Sequence, residues 1–318
     1  MTDTLRLLIP HHVSPDRTDD LLDALDGAIP PEAVVVADTP AESHEHVASV
    51  DGIVTYDLDD DLLAAATNLR WIQCLSAGVD HYDLDDLEER GIALTNSSGI
   101  HAEPIAEQVL CYLLMFERGI VQGTRQQARN AWERFEGGEL RGKTVGIVGV
   151  GAIGTRVAEI CSALGTTVLG TKRDTSERPA GVDELFAADD YHELLRRSDY
   201  VVLACPLTDE TEGLLGGPEF RLMRSDTVLV NVARGGVVDE AALTRALQNR
   251  SIRGAALDVF DEEPLPADSP LWDLSNVVVT PHMAGSTPKK PQRWREILTQ
   301  NYEALAVGDL EAMVNRVV

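Results

Sequence analysis

Apolar residues in this chain fall into short unbroken runs, separated by stretches in which they recur every three or four positions. Short runs rich in Val, Ile and Leu predict strands of a parallel sheet buried on both faces, and the longer periodicity predicts helices packed upon it. In the first 96 residues strands are expected at 5–9, 33–37, 52–55, 71–74 and 92–95, with helical patterns between them, for example 19–25 and 59–66. Asn96-Ser97-Ser98-Gly99 reads as a linker, and an amphipathic helix is expected over 103–118. The segment 119–140 is polar and broken by glycines, which suggests an arm or an oligomer contact. From 144 the alternation resumes, with strands at 144–148, 166–171, 200–204, 228–232, 254–258 and 277–280. Strands alternating with helices make a doubly wound parallel sheet. Pro288 and Pro291 then introduce a last helix at 292–307. Open α/β sheets bind ligands outside their C-terminal strand ends, so two such edges facing each other would form a cleft.

One stretch carries more than periodicity. Lys143 to Gly154 reads KTVGIVGVGAIG, a strand followed by Gly149-Val150-Gly151-Ala152-Ile153-Gly154. This is the G-x-G-x-x-G of a dinucleotide-binding turn, standing between a strand and a helix whose apolar face holds Val157, Ile160, Cys161 and Leu164. Gly149 allows the tight turn, Gly151 lets the backbone approach a pyrophosphate, and Gly154 lets helix and strand pack closely. The first-turn N–H groups, including those of Ala152 and Ile153, face the anion with the positive end of the helix dipole.

Composition narrows the class. At 318 residues, two domains are expected, and 44% hydrophobic residues suffice for a full core. No apolar run approaches the roughly 18 residues of a membrane span, and the N-terminus lacks the basic region of a signal peptide. A soluble, cytoplasmic protein is expected. Cys74, Cys111, Cys161 and Cys205 lie far apart in apolar segments and read as buried free thiols. The net charge is −26 and the pI about 4.5, with only four lysines, Lys143, Lys172, Lys289 and Lys290. Runs such as 57–61 and 80–89 stack carboxylates on the surface. Molar salt shortens the Debye length to about 3 Å and screens their repulsion, which points to a halophilic source, with an ordinary acidic cytosolic protein as the alternative. Such a surface repels nucleic acid. His11-His12 and His44-Glu45-His46 lack a clustered third ligand, so no metal site is expected.

Three further stretches end strands after the glycine turn: 230–236 (VNVARGG), 257–264 (LDVFDEEP) and 280–285 (TPHMAG). Singly, Arg234 could be a surface turn residue, Glu263 part of a solvated charge run and His282 a loop histidine. Behind a dinucleotide turn they form a set able to move a hydride and a proton. Imidazole changes charge near neutral pH and suits a general acid and base, which typically contributes roughly 10²–10⁴-fold. A Glu263 carboxylate nearby favours its protonated form. Arg234 offers a fixed charge and a planar fork for a carboxylate.

With VGIVGVGAIG, VNVARGGVVDE, LDVFDEEPL and TPHMAGST in that order, and LSAGVDH at 75–81, nearly the whole chain resembles the D-2-hydroxyacid dehydrogenase family. The resemblance implies two Rossmann-like domains. A discontinuous substrate domain would take residues 1–98 and 286–318, and a dinucleotide-binding domain residues 99–285. It implies catalytic roles for Arg234, Glu263 and His282, and backbone N–H groups at Ser76, Ala77 and Gly78 for the substrate carboxylate. Cys205, Pro206 and Thr211 would lie beside the adenosine, and Val232, Ala233 and Asp258 beside the nicotinamide. It implies a homodimer. Formate dehydrogenases share this architecture but commonly carry Gln where this chain has Glu263, so the Glu favours the hydroxy-acid reaction.

The strand after the turn ends Gly170-Thr171-Lys172-Arg173-Asp174. Where NAD enzymes of this fold place an acid for the ribose 2′-OH, this chain has Lys172, and with Arg173 it would suit a 2′-phosphate, with Thr175 or Ser176 adding a hydrogen bond. The alternative is that Asp174 serves NAD. The expectation is a 2-oxo-acid reductase using NADP, with NAD as a second cofactor, acting on a small 2-oxo or 2-hydroxy acid whose side chain one sequence does not specify. A nucleotide-sensing regulator on the same scaffold, like the corepressors that resemble these enzymes, is the alternative.

Overall fold

The computed structural model describes residues 5–79 and 81–318. Asp80, in both the acidic run 80–89 and the LSAGVDH motif, lies outside the described residues. The chain divides into two compact units, one comprising Met1–Ile100 and Thr287–Val318, the other His101–Ser286.

The first unit contains β1 (Leu7–Ile9), α1 (Pro15–Leu25), β2 (Val34–Val36), α2 (Pro40–Val47), β3 (Gly52–Thr55), α3 (Asp60–Ala65), β4 (Trp71–Cys74), α4 (Leu84–Glu89) and β5 (Ala93–Thr95). Its five strands run in the order β2-β1-β3-β4-β5, every neighbouring pair parallel. The order reverses between β1 and β3, which makes their C-terminal ends the switch point of this sheet. Leu7, Leu8, Ile9, Ile53, Val54, Trp71 and Ile72 are wholly buried. A fully buried Leu, Ile or Val contributes roughly 1.5–3 kcal/mol. Some of the clustered acids have local work: Asp59 caps α3 by accepting from Leu62 N (2.7 Å), and Asp83 caps α4 by accepting from Asp86 N (3.1 Å). The expected linker 96–99 is tied down. Ser97 is buried, its N–H donates to Ser76 O (2.9 Å), and Asn315 Nδ2 donates to Asn96 O and Ser98 O.

The second unit contains α5 (Ala102–Glu117), α6 (Ile120–Ala128), β6 (Thr144–Val148), α7 (Ala152–Ala163), β7 (Thr167–Lys172), β8 (Glu184–Ala187), α8 (Tyr191–Arg197), β9 (Tyr200–Leu203), α9 (Gly217–Leu222), β10 (Val228–Asn231), α10 (Glu240–Gln248), β11 (Gly254–Leu257) and β12 (Val277–Val279). Its seven strands, all parallel, run β12-β11-β10-β9-β6-β7-β8. The sheet has seven strands, not the six expected. β8 (ELFA) is a half-exposed edge strand paired only with β7, and it carries no β-branched residue to signal it. The glycines of the polar segment 119–140 do not prevent a helix there. A Cβ on Gly119 would lie 2.5 Å from Phe135 Cε2, so that glycine makes room for the ring, while one on Gly123 would only touch it at 3.7 Å. Cys111 also departs from expectation: it is exposed on α5, while Cys74, Cys161 and Cys205 are buried. Leu164 caps α7 and is 38% exposed rather than buried on its apolar face. The chain returns to the first unit in α11 (Lys290–Val307), which packs along α1 through Trp294, Ile297, Leu298 and Leu305.

Candidate active site

The seven-stranded order reverses between β6 and β9, and the glycine turn leaves β6 at that switch point. Gly149 has φ +95°, and a Cβ there would lie 2.7 Å from Cys205 Cα. A Cβ on Gly154 would lie 2.2 Å from Gly149 O. Those two glycines serve the fold. Gly151 is different: a Cβ there would meet nothing within 4 Å. The turn therefore opens onto free space at the N-terminus of α7, where Ala152, Ile153 and Gly154 present first-turn N–H groups. Its root is pinned to β7, since Gly149 N donates to Thr171 Oγ1 (3.1 Å) and Val150 N to Thr171 O (2.8 Å). This cradle fits the pyrophosphate of a dinucleotide.

Lys172 ends β7 half-buried, and Arg173 follows, exposed. Asp174 accepts from Ser176 N (2.9 Å), and hydrogen bonds from Ser176 hold its carboxyl below the usual range. That carboxylate shapes the turn it belongs to. Cys205 is buried after β9 and Pro206 is exposed beside it. Thr211 Oγ1 accepts from Thr208 N (2.7 Å) and donates to Pro206 O (2.7 Å), which closes that loop. Val232 and Ala233 are buried at the end of β10.

Arg234, Glu263 and His282, far apart in sequence, line one hollow of about 780 Å³. Asn231, buried at the end of β10, accepts from Ala233 N (3.0 Å) and donates through Nδ2 to Arg234 O (3.0 Å), bending the chain so that the Arg234 side chain is exposed. Gly235 lets this turn approach the next loop, because a Cβ there would lie 2.0 Å from Phe260 C. In that loop Phe260 N donates to Glu263 Oε1 (3.0 Å). The other carboxylate oxygen, Oε2, lies 2.6 Å from His282 Nδ1. An ionised carboxylate only accepts, so Nδ1 carries a proton and Nε2 is left for another partner. Burial raises the nearby Glu240 and Asp261 carboxyls, which border the same hollow.

His282 adopts φ +48°, a left-handed conformation that costs a non-glycine residue of order 1–2 kcal/mol. Its surroundings enforce it. His282 N donates to Asp258 O (2.8 Å). The Asp258 carboxylate, 2% exposed, accepts from Thr280 Oγ1, Met283 N (3.0 Å) and Ala284 N (2.8 Å). Tyr112 on α5 hydrogen-bonds Thr280 in turn, and burial raises the Tyr112 phenol, keeping it protonated. Asp258 thus clamps the loop on both sides of the histidine. Sequence reading placed Asp258 near a cofactor and missed this role, along with Asn231, Thr280 and Tyr112. The available signal was a polar residue closing each apolar strand, as in VLVN and ALD.

In the first unit, the loop after β4 has a related asymmetry. Its carbonyls accept from the protein: Ser76 O from Ser97 N (2.9 Å), Ala77 O from Asn96 Nδ2 (2.8 Å) and Gly78 O from Ser76 Oγ (2.7 Å). The N–H groups of Ala77 and Gly78 have no acceptor among the described residues. A loop with satisfied carbonyls and free N–H groups suits an anion. His11 and His12 bond Ser43 and Thr55. Among the described residues, no three His, Cys, Asp or Glu are grouped to hold a metal, and no helix is long and apolar enough to cross a membrane.

Comparison with known proteins identifies the family. Residues 110–284 match the family described as D-isomer specific 2-hydroxyacid dehydrogenase, NAD binding domain. The chain is 37% identical over 278 residues to a glyoxylate reductase of Aeropyrum pernix, covering 84% of this chain and 82% of that protein. It is 36% identical over 258 residues to a D-3-phosphoglycerate dehydrogenase of Methanocaldococcus jannaschii, covering 80% of this chain but only 49% of that protein, so it spans about half the relative's length. Among solved structures, a D-isomer specific 2-hydroxyacid dehydrogenase from Xanthobacter autotrophicus, in complex with NADPH and MES, superposes with a TM-score of 0.85 at 30% identity, covering 99% of this chain and 98% of that one.

Proposed function

Because the chain belongs to the D-isomer specific 2-hydroxyacid dehydrogenase family, we propose that it reduces small 2-oxo acids to D-2-hydroxy acids, with NADPH preferred over NADH. The observation that carries this reading is the Glu263–His282 pair at 2.6 Å, sharing one hollow with Arg234. Turning a ketone into an alcohol requires one hydride at carbon and one proton at oxygen. A bound nicotinamide supplies the hydride.

The side chains manage everything else. His282 Nε2 gives its proton to the carbonyl oxygen and takes it back in the oxidative direction. Glu263 holds the ring by Nδ1 and stabilises the imidazolium form. The Arg234 guanidinium orients the substrate carboxylate and draws electron density toward the carbonyl oxygen. The free N–H groups of the Ser76-Ala77-Gly78 loop suit a substrate carboxylate. Asp258 is a positioning residue that fixes the histidine's loop.

For the cofactor, the Gly149–Gly154 turn, with Ala152 and Ile153, would hold the pyrophosphate. Cys205, Pro206 and Thr211 would border the adenosine, and Val232, Ala233 and Asp258 the nicotinamide. Lys172 and Arg173 would read a 2′-phosphate. Three further proposals follow from the surface. The exposure of Ile120 and Trp132, 49% and 95%, supports α6 and the strap after it as the contact of a homodimer. The charge of −26 suits a cytoplasm at molar salt. Salt screening the repulsion among the acids there explains why so few lysines suffice.

The test is oxidation of NADPH and of NADH against glyoxylate, pyruvate and hydroxypyruvate, in low and in molar salt. Turnover with a higher kcat/KM for NADPH is expected. Absence of turnover across the panel contradicts the reading and favours the regulator.

A further inference from the structure

At the switch point of the five-stranded sheet, where β1 and β3 end, His12 Nε2 joins the two strands through Thr55 Oγ1 (2.7 Å). The next residue, Tyr56, is wired to the loop with the free N–H groups. Its carbonyl accepts from His81 Nε2 (2.8 Å) and Cys74 Sγ (3.5 Å), and Cys74 Sγ lies 3.0 Å from Ser76 Oγ. Over this edge stands Lys290, the first residue of α11. Its Nζ is 4.7 Å from the centre of the Trp294 ring and 5.8 Å from that of Tyr56.

Lys290 is unusual in this chain. Acids outnumber bases 53 to 27 and only four lysines exist; among the described residues Lys143 alone of them is ion-paired, with Glu117, and Lys290 is the one that lies over aromatic rings instead. Arg17, whose charge acts on Lys290, is paired with Asp20 (3.1 Å). Burial lowers the Lys290 ammonium's pKa, Arg17 lowers it further, and Asp20 partly opposes them. Beside it the buried Trp294 Nε1 has no hydrogen-bond partner. An ammonium is a compact, strongly hydrated charge, and holding one half-buried on aromatic faces without a counter-ion leaves it short of acceptors.

We infer that Lys290, held over Trp294 and Tyr56, receives a second carboxylate at the far end of the substrate, so that 2-oxo dicarboxylic acids are favoured over apolar 2-oxo acids of the same shape. The inference rests on the reductase reading above and adds the substrate class. The first carboxylate would lie on the Ser76-Ala77-Gly78 N–H groups, in the loop that leaves β4, and the second on Lys290 at the start of α11. Ligands of doubly wound sheets bind outside the strand ends.

The experiment compares kcat/KM for isosteric pairs in which a terminal carboxylate is replaced by an isopropyl group: oxaloacetate against 4-methyl-2-oxopentanoate, and 2-oxoglutarate against 5-methyl-2-oxohexanoate. Glyoxylate, which has no side chain, serves as the reference. In the wild type at least one dicarboxylate is expected to exceed its isostere tenfold or more. In Lys290→Met, which keeps the apolar stem over the rings, the ratio of that dicarboxylate to glyoxylate should fall at least tenfold, and Lys290→Arg should restore part of it. A wild type that prefers both isopropyl compounds overturns the inference without any variant. So does a Lys290→Met enzyme whose ratio moves less than twofold, which would make the lysine a packing element. If the wild type fails to reduce even glyoxylate, the reductase reading falls and this inference with it.

Discussion

Two turns at the C-terminal edge of the same seven-stranded sheet are built very differently. The turn after β12 holds His282 in a left-handed conformation by bonds from elsewhere in the chain: buried Asp258 to three donors, Tyr112 to Thr280, and Glu263 to the ring itself. The turn after β7 holds Lys172 and Arg173 with little beyond its own Asp174–Ser176 bond and the Thr171 contacts at its root. On the proposed reading His282 transfers a proton, which demands placement within a fraction of an ångström, and bonds from elsewhere in the chain supply it. On the same reading Lys172 and Arg173 choose between a hydroxyl and a phosphate, which demands only the right charge nearby, so that choice can sit in a solvated turn. Changes in the first turn should therefore cost rate and stability together, and changes in the second should redirect the cofactor at little cost to either.

The largest effect is expected from His282→Ala. Loss of a general acid should lower kcat for glyoxylate reduction by roughly 10²–10⁴-fold, while the Kd for NADPH, read by fluorescence titration, stays within about twofold. Next is Asp258→Asn, which sets an amide NH₂ against donors that need an acceptor. It should cost about 1–3 kcal/mol in denaturant unfolding and lower kcat at least tenfold. Thr280→Val, which removes one of the three donors, should fall short of that. If Asp258→Asn retains full kcat, the clamp is not what places the histidine. The smallest effect belongs to Lys172→Ala combined with Arg173→Ala. KM for NADPH should rise roughly tenfold, the scale of a charge-assisted contact at a solvated site, with KM for NADH, kcat and melting temperature nearly unmoved. Equal changes for both cofactors would place phosphate recognition elsewhere.

The same contrast explains what sequence could reveal. The glycine turn was legible because two of its glycines answer local demands, and local demands leave local signatures. Gly149 and Gly154 are required by close backbone approach, while Gly151, where a Cβ would meet nothing within 4 Å, is legible through the motif alone. The buried strands were legible because burial on both faces requires unbroken apolar runs. Arg234, Glu263 and His282 could be chosen as a set through their order and spacing, but not the hydrogen bonds that assemble them, since Asp258 and Tyr112 act on partners 22 and 168 residues away. The edge strand β8 was missed because half-exposed ELFA has neither alternation nor branching, and α6 because Gly119 and Gly123 read as breakers until Phe135 is seen beside them. Cys111 was misjudged because an apolar helix segment such as VLCYLLMF does not reveal which of its faces meets solvent.

The central claim is that this chain delivers a hydride to C2 of a 2-oxo acid and a proton to its oxygen, on one face only. Reducing pyruvate with NADPH deuterated at the transferring position of C4, then resolving the product by chiral chromatography and mass spectrometry, tests it most directly. The account predicts D-lactate carrying one deuteron at C2. L-lactate, lactate without the label, or NADPH left unoxidised would contradict it.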